Sequence, residues 1–500
     1  MDSSSFFHIT CQDGLFCEAR PGESLLAALT RSGFILSAPC GGRGICGKCK
    51  VKLLEGRFNG PLPEKNGLFS ACQAIPLSDM TIELPAGSGM DAADFGMDAA
   101  GRTIRPNRKV NRAGVGIDIG TTTVSAELID LDTGETLETV SALNAQRSFG
   151  ADVMSRIDAA RKGKTGELFS AINKQVETIL ERFTPWGPIE HCVVSGNTTM
   201  LHLFTNTDPS GMGAAPFTPV FLEEQHLTGL DLSLPVKQVT LLPGISAFVG
   251  ADITAGLAAL DIFNREDASL LVDIGTNGEM ALLRKKTGNK NRLFCCSTAA
   301  GPCFEGAEIS CGMGAQPGAI NRIMLKDGKV TYTTLGTLPP RGICGAALID
   351  ALALMKQMAV IDETGALADE YEETGFPLAE GISISGRDVR QFQLAKSAIL
   401  SGIKILCGKA EAAAADCSVY IAGGLGFFID TKNAVTAGLL PPEFTGRSSA
   451  CGNLSLKGAV QCLREAAFLP RCREITAHSE VADLGSDPDF AEAFAENMYF

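Results

Sequence analysis

The first part of the chain alternates polar and hydrophobic positions. His8-Ile9-Thr10-Cys11 and Leu15-Phe16-Cys17 flank the turn pair Asp13-Gly14, and this pattern predicts a β-hairpin. Ser24 then precedes an apolar run at residues 25–29, which predicts a short capped helix. Alternating segments at 49–54 and 80–84 predict further strands. The chain is therefore expected to begin with a small unit rich in β-structure.

A second pattern occurs twice farther along the chain. Gly116-Ile117-Asp118-Ile119-Gly120-Thr121 returns as Leu271-Val272-Asp273-Ile274-Gly275-Thr276, and an alternating segment follows each copy. Each copy predicts an apolar strand that ends in an aspartate, a Gly-Thr turn and another strand. This repeat predicts a duplicated domain in which two such hairpins face each other.

The two patterned regions are separated by a stretch of small, polar and basic residues. We expect this stretch to be a flexible linker, because it cannot bury enough apolar surface to fix itself. Its basic side chains could instead dock on an acidic partner. The predicted boundaries are a small domain at 1–85, the linker at 86–112, and the two halves of the duplicated domain at 113–266 and 267–500.

Composition narrows the class of protein. Hydrophobic residues make up 45% of the 500 positions and 55 are glycine, as in a soluble, turn-rich α/β protein. The net charge of -14 argues against a nucleic-acid partner, which requires a basic face. No apolar run is long enough to span a membrane and the N-terminus lacks a signal-peptide pattern. Since the 17 cysteines fit a reducing compartment, we expect a cytoplasmic protein with no membrane partner.

Four cysteines form the first candidate site. Cys40, Cys46 and Cys49 have the spacing C-x5-C-x2-C and are interleaved with glycines, and Cys72 is the candidate fourth ligand. A tight loop with three thiolates and one more distant thiolate is typical of a 2Fe-2S cluster. The glycines allow the loop backbone to approach the cluster sulfurs. Zinc binding is the main alternative, but zinc loops usually carry two C-x2-C pairs.

The repeated hairpins form the second candidate site. A Gly-Thr turn can surround phosphate oxygens with backbone N–H and hydroxyl groups, and an aspartate at a strand end can hold Mg²⁺ through water. We therefore expect Asp118 and Asp273 to form the magnesium shell. The candidate nucleotide-binding residues in these turns are Gly120, Thr121, Thr122, Thr123, Gly275, Thr276 and Asn277.

Both regions resemble known families. The first resembles the β-grasp 2Fe-2S ferredoxins. The second resembles the actin, sugar-kinase and heat-shock-chaperone ATPases, whose fold is a duplicated RNase H-like α/β domain. A third motif of that superfamily, the adenosine turn, is matched by Val419-Tyr420-Ile421-Ala422-Gly423-Gly424-Leu425-Gly426. This resemblance implies that Gly423, Gly424 and Gly426 contact the adenosine of ATP.

The combination of the two domains resembles the reductive activators of corrinoid proteins. The likeness extends through Ser195-Gly196-Asn197, Gly250-Ala251-Asp252 and Gly452-Asn453-Leu454-Ser455. It implies an ATP-dependent reduction of an inactive Co(II) corrinoid protein of a methyltransferase system to Co(I), with an external low-potential donor that reloads the cluster. Some members carry an additional middle domain implicated in dimerisation. Here Asp118 follows the linker almost at once, so we expect this middle domain to be missing. Dimerisation through it is then not expected, and a homodimer stays an open alternative.

Several assignments stay open at this point. The residue that orients the attacking water is Glu279, Glu305 or Asp252, all of which lie in glycine-rich turns. His202 is either a ligand to the corrinoid cobalt or a core histidine. Two other functions also remain: electron transfer to a different low-potential enzyme, such as a dehydratase, and a small-molecule kinase with a regulatory ferredoxin domain.

Overall fold

The computed structural model describes residues 6–11, 16–32, 34, 36, 42, 44, 49–64, 66–84, 108–284 and 292–500. Cys40, Cys46 and most of the predicted linker lie outside these residues. Within the described part of the chain, every helix is too short or too polar to span a lipid bilayer.

The N-terminal unit is a small mixed sheet covered by one helix. Its five-stranded sheet has the order β2-β1-β7-β3-β5 once the strands are numbered along the chain. The helix begins after Ser24, whose side chain accepts a hydrogen bond from the Ala27 backbone N–H, and it buries Leu25, Leu26 and Leu29 against the sheet. The elements are β1 (Phe7–Cys11), β2 (Phe16–Ala19), α1 (Leu25–Arg31), β3 (Lys50–Glu55), β4 (Phe58–Asn59), β5 (Leu68–Ser70), β6 (Ile75–Pro76) and β7 (Met80–Glu83).

The next unit contains the first copy of the repeat. Its six-stranded sheet has the order β10-β9-β8-β11-β13-β12. The elements are β8 (Ala113–Ile119), β9 (Thr123–Asp130), β10 (Thr136–Leu143), α2 (Val153–Ala159), α3 (Thr165–Phe183), β11 (Ile189–Gly196), α4 (Thr198–Phe204), β12 (Gln225–Thr228), α5 (Gly229–Leu232), β13 (Gln238–Leu241) and α6 (Ala251–Ala259).

The last unit contains the second copy and several insertions. Its six-stranded sheet has the order β23-β22-β14-β15-β16-β24. The elements are β14 (Ala268–Ile274), β15 (Gly278–Arg284), β16 (Arg292–Thr298), β17 (Ala319–Lys326), β18 (Lys329–Thr334), β19 (Gly342–Ile343), α7 (Gly345–Gln357), β20 (Phe376–Ala379), β21 (Ile382–Ile384), α8 (Gly386–Ala410), β22 (Cys417–Ala422), α9 (Thr431–Thr436), β23 (Ser448–Gly452), α10 (Leu454–Arg464), α11 (Phe468–His478), β24 (Ser479–Val481) and α12 (Pro488–Glu496).

The two large sheets share one topology. In each sheet the first three strands form an antiparallel meander, and two later strands continue the sheet in parallel from the first strand. Because five of the six strands in each sheet correspond in order and direction, the predicted duplication is confirmed. The predicted fold class is confirmed as well.

Helices α6 and α10 pack between the two large sheets. A Cβ atom at Gly458 would lie 2.5 Å from the Ala255 carbonyl oxygen, and one at Gly116 would lie 2.6 Å from Val460 Cγ2. Glycine at these positions therefore allows α10 to contact α6 and β8 closely. The core that contains α6 continues into Leu271, Ala281 and Leu283 of the second sheet. This packing brings the ends of β8 and β14, which carry the two aspartates, to opposite sides of one cleft.

Candidate functional site

The first hairpin holds its aspartate with hydrogen bonds from the far end of the chain. Asp118 lies at the end of β8 and is partly exposed to the cleft. Its carboxylate accepts hydrogen bonds from Asn453 Nδ2 and Ser455 Oγ, each at 2.7 Å. Burial raises the pKa of Asp118, and these two hydrogen bonds oppose that shift. The side chain is therefore fixed in position at the cleft.

The turn after Asp118 is supported from behind. The Gly120 backbone N–H donates to the Thr123 carbonyl at 2.9 Å, and Asn197 Nδ2 donates to the Thr121 hydroxyl at 3.0 Å. The guanidinium of Arg156, which is fully buried, donates to the Thr121 carbonyl. Burial lowers the pKa of Arg156 to about 9. The turn that carries the three threonines is thus a rigid platform with a cation beneath it.

The second hairpin lies against the predicted adenosine turn. The Gly275 backbone N–H donates to the Asn277 carbonyl at 2.9 Å. Gly423 has a φ of +84°, and a Cβ atom there would lie 2.5 Å from Asp273 Oδ1. Gly424, next to it, is exposed and faces open space, whereas Gly426 packs against the Ile421 carbonyl. The three glycines thus form a turn beside Asp273 that leaves space for a ligand.

Acidic side chains accumulate around the second hairpin. Burial, followed by the charges of Asp252, Asp118 and Glu305, raises the pKa of Asp273 well above its ordinary value. Burial and the neighbouring Asp118 raise the pKa of Asp252 to about 7. Burial and the charges of Asp252 and Asp273 also raise the pKa of Glu279 well above normal. This cluster of uncompensated carboxylates favours a bound cation.

One atom of the cluster indicates how a cation fits. Glu279 is buried, and its Oε1 atom has no hydrogen-bond partner, which is costly unless a ligand or water supplies one. Among the described residues, no group of three or more His, Cys, Asp or Glu side chains is arranged to hold a metal directly. Mg²⁺ commonly keeps several waters and binds one or two carboxylates together with substrate phosphates. The residues present fit Mg²⁺ bound in that indirect way.

Glu305 lies between the two hairpins. Its Oε2 atom accepts a hydrogen bond from Thr122 Oγ1 at 2.7 Å and another from Thr276 Oγ1. Burial raises the pKa of Glu305, while these hydrogen bonds and the charges of Arg147 and Arg156 oppose the shift. A single carboxylate therefore joins a turn from each half of the duplicated domain.

The described cysteines of the first candidate site lie on adjacent strand ends. Cys49 directly precedes β3 and Cys72 follows β5, and the Ala71 backbone N–H donates to the Cys49 carbonyl at 2.8 Å. Gly42 and Gly44 have φ values of +80° and +77°, which L side chains rarely adopt. A Cβ atom at Gly42 would lie 3.8 Å from Cys72 Cβ, so Gly42 lies against Cys72. A glycine with this backbone beside one of the two described thiols fits an iron-sulfur cluster.

Some residues of the cleft were not predicted from the sequence. Arg147, Arg156 and Asn144 form a basic and polar layer behind the first hairpin, and Asn144 Nδ2 donates to the Gly120 carbonyl at 2.8 Å. The sequence signal for this layer was the segment 144–156. Asn144, Gln146 and Arg147 precede α2, and Arg156 lies within it. Charged residues just before and within a helix are usually exposed to solvent, so this segment was not predicted to lie in the cleft.

His202 is a core histidine and not a free ligand. Its Nδ1 atom lies 2.8 Å from the Thr198 carbonyl, and its Nε2 atom accepts the Val220 backbone N–H at 3.0 Å. The ring is fully buried and stacks on Phe221. Both ring nitrogens are engaged, so the alternative of a cobalt ligand is wrong for this structure.

Three family models match the chain. A 2Fe-2S iron-sulfur cluster binding domain matches residues 9–77, the RACo middle region matches 113–265, and the C-terminal domain of RACo, the ASKHA domain, matches 267–500. The middle region of the family is therefore found directly after the linker. This corrects the expectation that a middle domain is missing there.

Individual proteins match over most of the chain. The corrinoid activation enzyme RamQ of Eubacterium limosum is 34% identical over 425 residues, which cover 77% of this chain and 70% of RamQ. A [Co(II) methylated amine-specific corrinoid protein] reductase of Methanosarcina barkeri is 29% identical over 72% of each chain. A solved structure of a reductive activator for corrinoid, iron-sulfur protein superposes with a TM-score of 0.70 and 28% identity, and the alignment covers 99% of this chain and 98% of that one.

Proposed function

The chain belongs to the RACo family, and from this premise we propose that it is an ATP-dependent reductive activator that returns a Co(II) corrinoid protein to Co(I). The observation that carries the proposal is the joining of an iron-sulfur domain to a cleft in which two phosphate-type hairpins face each other. The relatives named above are described as acting on corrinoid proteins.

The electron path begins in the N-terminal domain. Cys40, Cys46, Cys49 and Cys72 are the proposed cluster ligands, and the positive-φ glycines of the loop support this assignment. A bound 2Fe-2S cluster of this type supplies a one-electron couple with a reduction potential of roughly -400 mV. An external low-potential donor has to replace each electron that is delivered. The Co(II) corrinoid is the acceptor and substrate.

The cleft is proposed to bind MgATP. Asp118 and Asp273 are the proposed water-mediated magnesium shell, and the threonines of both turns are the proposed phosphate donors. Gly423, Gly424 and Gly426 are proposed to lie along the adenosine. The unpartnered Glu279 oxygen and the raised pKa values of Asp252 and Asp273 support a cation in this cleft.

Asp252 is the proposed base that orients the attacking water. Its pKa of about 7 is suited to accept a proton near neutral pH. It lies in the first turn of α6, and a hydrogen bond with Glu279 lowers the pKa of Asp252 and raises that of Glu279. Glu279 is therefore proposed to position Asp252. Glu305 is bound by both threonines, so we assign it a different role below.

ATP is needed because reduction to Co(I) is unfavourable with an ordinary donor. Nucleotide can drive it only if the nucleotide-bound and nucleotide-free chains differ in affinity for the two states of the partner. The cleft between the two halves is the place where such a change would begin, because both hairpins would contact one bound nucleotide there. We propose that ATP binding or hydrolysis alters the docking of the corrinoid partner in this way.

The test is the visible spectrum of a Co(II) corrinoid protein mixed anaerobically with this chain and a chemical reductant. We expect the Co(I) band to grow only when both Mg²⁺ and ATP are present. Cys72→Ala is expected to abolish the band, whereas Cys17→Ala, which removes a buried thiol from β2 in the same domain, is expected to leave it. If ATP is hydrolysed but no corrinoid partner gives Co(I), the proposed function is rejected.

A further inference from the structure

Glu305 makes a contact that a phosphate group would make. It ends the short 3-10 turn Pro302–Glu305 that follows β16. Its Oε2 atom accepts hydrogen bonds from Thr122 of the first hairpin, at 2.7 Å, and from Thr276 of the second. These hydroxyls belong to the turns whose geometry suits phosphate oxygens. The anionic acceptor that they bind in this structure is a side chain of the protein itself.

A cation completes the surroundings of this carboxylate. Arg147 lies in the 3-10 turn Ala145–Ser148 that follows β10, and its charge lowers the pKa of Glu305. The charge of Glu305 in turn raises the pKa of Arg147, which burial lowers. Arg156 is committed to the Thr121 and Gly150 carbonyls. The charge of Arg147 thus acts on the place that the Glu305 carboxylate occupies.

The backbone that carries Glu305 is held, so the side chain is the part that can leave. Phe304 packs edge to face on Phe392 with ring centroids 5.9 Å apart. The Phe304 carbonyl also lies against Gly345, where a Cβ atom would approach to 2.0 Å. Rotation of the Glu305 side chain requires no movement of this packed segment. An exchange of its carboxylate for another anion is thus a local event.

We propose that Glu305 occupies the subsite of the terminal phosphate of ATP in the nucleotide-free protein, and that Thr122, Thr276 and Arg147 bind this phosphate once it displaces the carboxylate. The inference deepens the proposed function and rests on it for the identity of the nucleotide. It makes Glu305 an internal competitor that holds the two halves together until ATP arrives. It also adds Arg147 as a phosphate ligand.

The competition can be measured as nucleotide affinity by isothermal titration calorimetry on the full chain. The probes are Mg²⁺ with AMPPNP, which carries a terminal phosphate and is not hydrolysed, and AMP, which lacks one. Glu305→Gln keeps the shape of the side chain but weakens its hydrogen bonds. We expect the Kd for AMPPNP to fall by about five- to tenfold, the difference between a charged and a neutral acceptor, while the Kd for AMP stays the same.

Three further variants sharpen the test. Glu308→Gln removes the same charge from an exposed position near the same turn and is expected to change neither Kd. Arg147→Met is expected to raise the Kd for AMPPNP by about tenfold, since a charge-assisted hydrogen bond is lost, and to leave AMP binding intact. Arg147→Lys, which keeps the charge, should recover part of this loss.

Opposite results would overturn the inference without touching the proposed function. If Glu305→Gln binds AMPPNP as the native chain does, or more weakly, Glu305 is not a competitor of phosphate. If Glu305→Gln folds poorly, Glu305→Asp serves instead, because its shorter side chain cannot reach both threonines and the same tightening is expected. If the native chain binds neither AMPPNP nor ATP, it is the proposed function that fails.

Discussion

The two repeated hairpins share their strand pairing but differ in their electrostatic surroundings. The hairpin of β8 and β9 rests on a buried arginine, Arg156, and its Asp118 accepts hydrogen bonds from Asn453 and Ser455. The hairpin of β14 and β15 instead has Asp252 and Glu305 near Asp273, and burial and these charges raise the pKa of Asp273 well above normal. The turn of the first hairpin, the basic side of the cleft, therefore rests on a cation, whereas the second hairpin, the acidic side, lies among carboxylates.

Only a few positions separate the two copies. In the strand register Asp118 corresponds to Asp273, but the cross-strand partner of Asp118 is Ser125, whereas that of Asp273 is Glu279. The replacement of one core side chain by a carboxyl places an ionisable group beside Asp252. The comparison shows that the strand pattern sets the backbone of both hairpins, whereas single substitutions set their chemistry.

The largest effect, on the rate of ATP hydrolysis, is expected when the proposed base Asp252 on the acidic side is removed. Asp252→Asn should lower the rate of ATP hydrolysis by about 10²- to 10⁴-fold, the usual contribution of a positioned general base, with little change in KM. In the native chain this rate should rise with pH through about 7, where Asp252 loses its proton. Steady-state kinetics against pH measure both effects.

The control for this variant lies at the other end of α6. Asp261→Asn changes an aspartate that follows the helix and whose carboxylate faces Arg471 and Asn264, so hydrolysis should continue at nearly the native rate. If Asp252→Asn hydrolyses ATP at the native rate, the water-orienting role passes to Glu279 or Glu305. The acidic side would then still bind a cation but would not contain the base at Asp252.

Local patterns explain what could be predicted from the sequence. The alternation at residues 6–20, the repeat and the glycine turns are properties of short segments, and the fold and the family resemblance that they indicate are confirmed. The hydrogen bond from Asn453 to Asp118 joins residues 335 positions apart, so no local pattern reveals it. Arg147 and Arg156 were missed because charged side chains in such a segment are usually exposed to solvent. The roles of the individual site residues stay predictions.

The next effect concerns the stability of the basic side. Arg156→Met removes the guanidinium and leaves the Thr121 and Gly150 carbonyls without their donor. Unsatisfied buried groups cost about 1–3 kcal/mol each, so we expect the free energy of unfolding of the ATPase domain to fall by about 2–4 kcal/mol. Urea unfolding without nucleotide measures this change.

The matched control is an arginine on the surface nearby. Arg161→Met removes an exposed side chain that donates to the Ser210 carbonyl, and it should change the free energy of unfolding by less than about 0.5 kcal/mol. Equal effects of the two variants would mean that the Arg156 guanidinium contributes no more to the first hairpin than a solvated charge. The contrast between the two sides of the cleft would then rest on the carboxylates alone.

The smallest effect is expected from Glu279→Val, which replaces the buried carboxyl beside Asp273 with an apolar side chain. Because burial raises the pKa of Glu279, the folded chain binds more protons than the unfolded chain above the ordinary pKa of a glutamate. Stability therefore falls as pH rises through this range, and the variant lacks this contribution. Without Mg²⁺ and nucleotide, we expect its Tm to match the native chain near pH 4 and to exceed it by a few degrees at pH 8. A lower Tm at pH 8 would show that the ionised Glu279 stabilises the second hairpin, and the proposed contrast between the two copies would be wrong at this position.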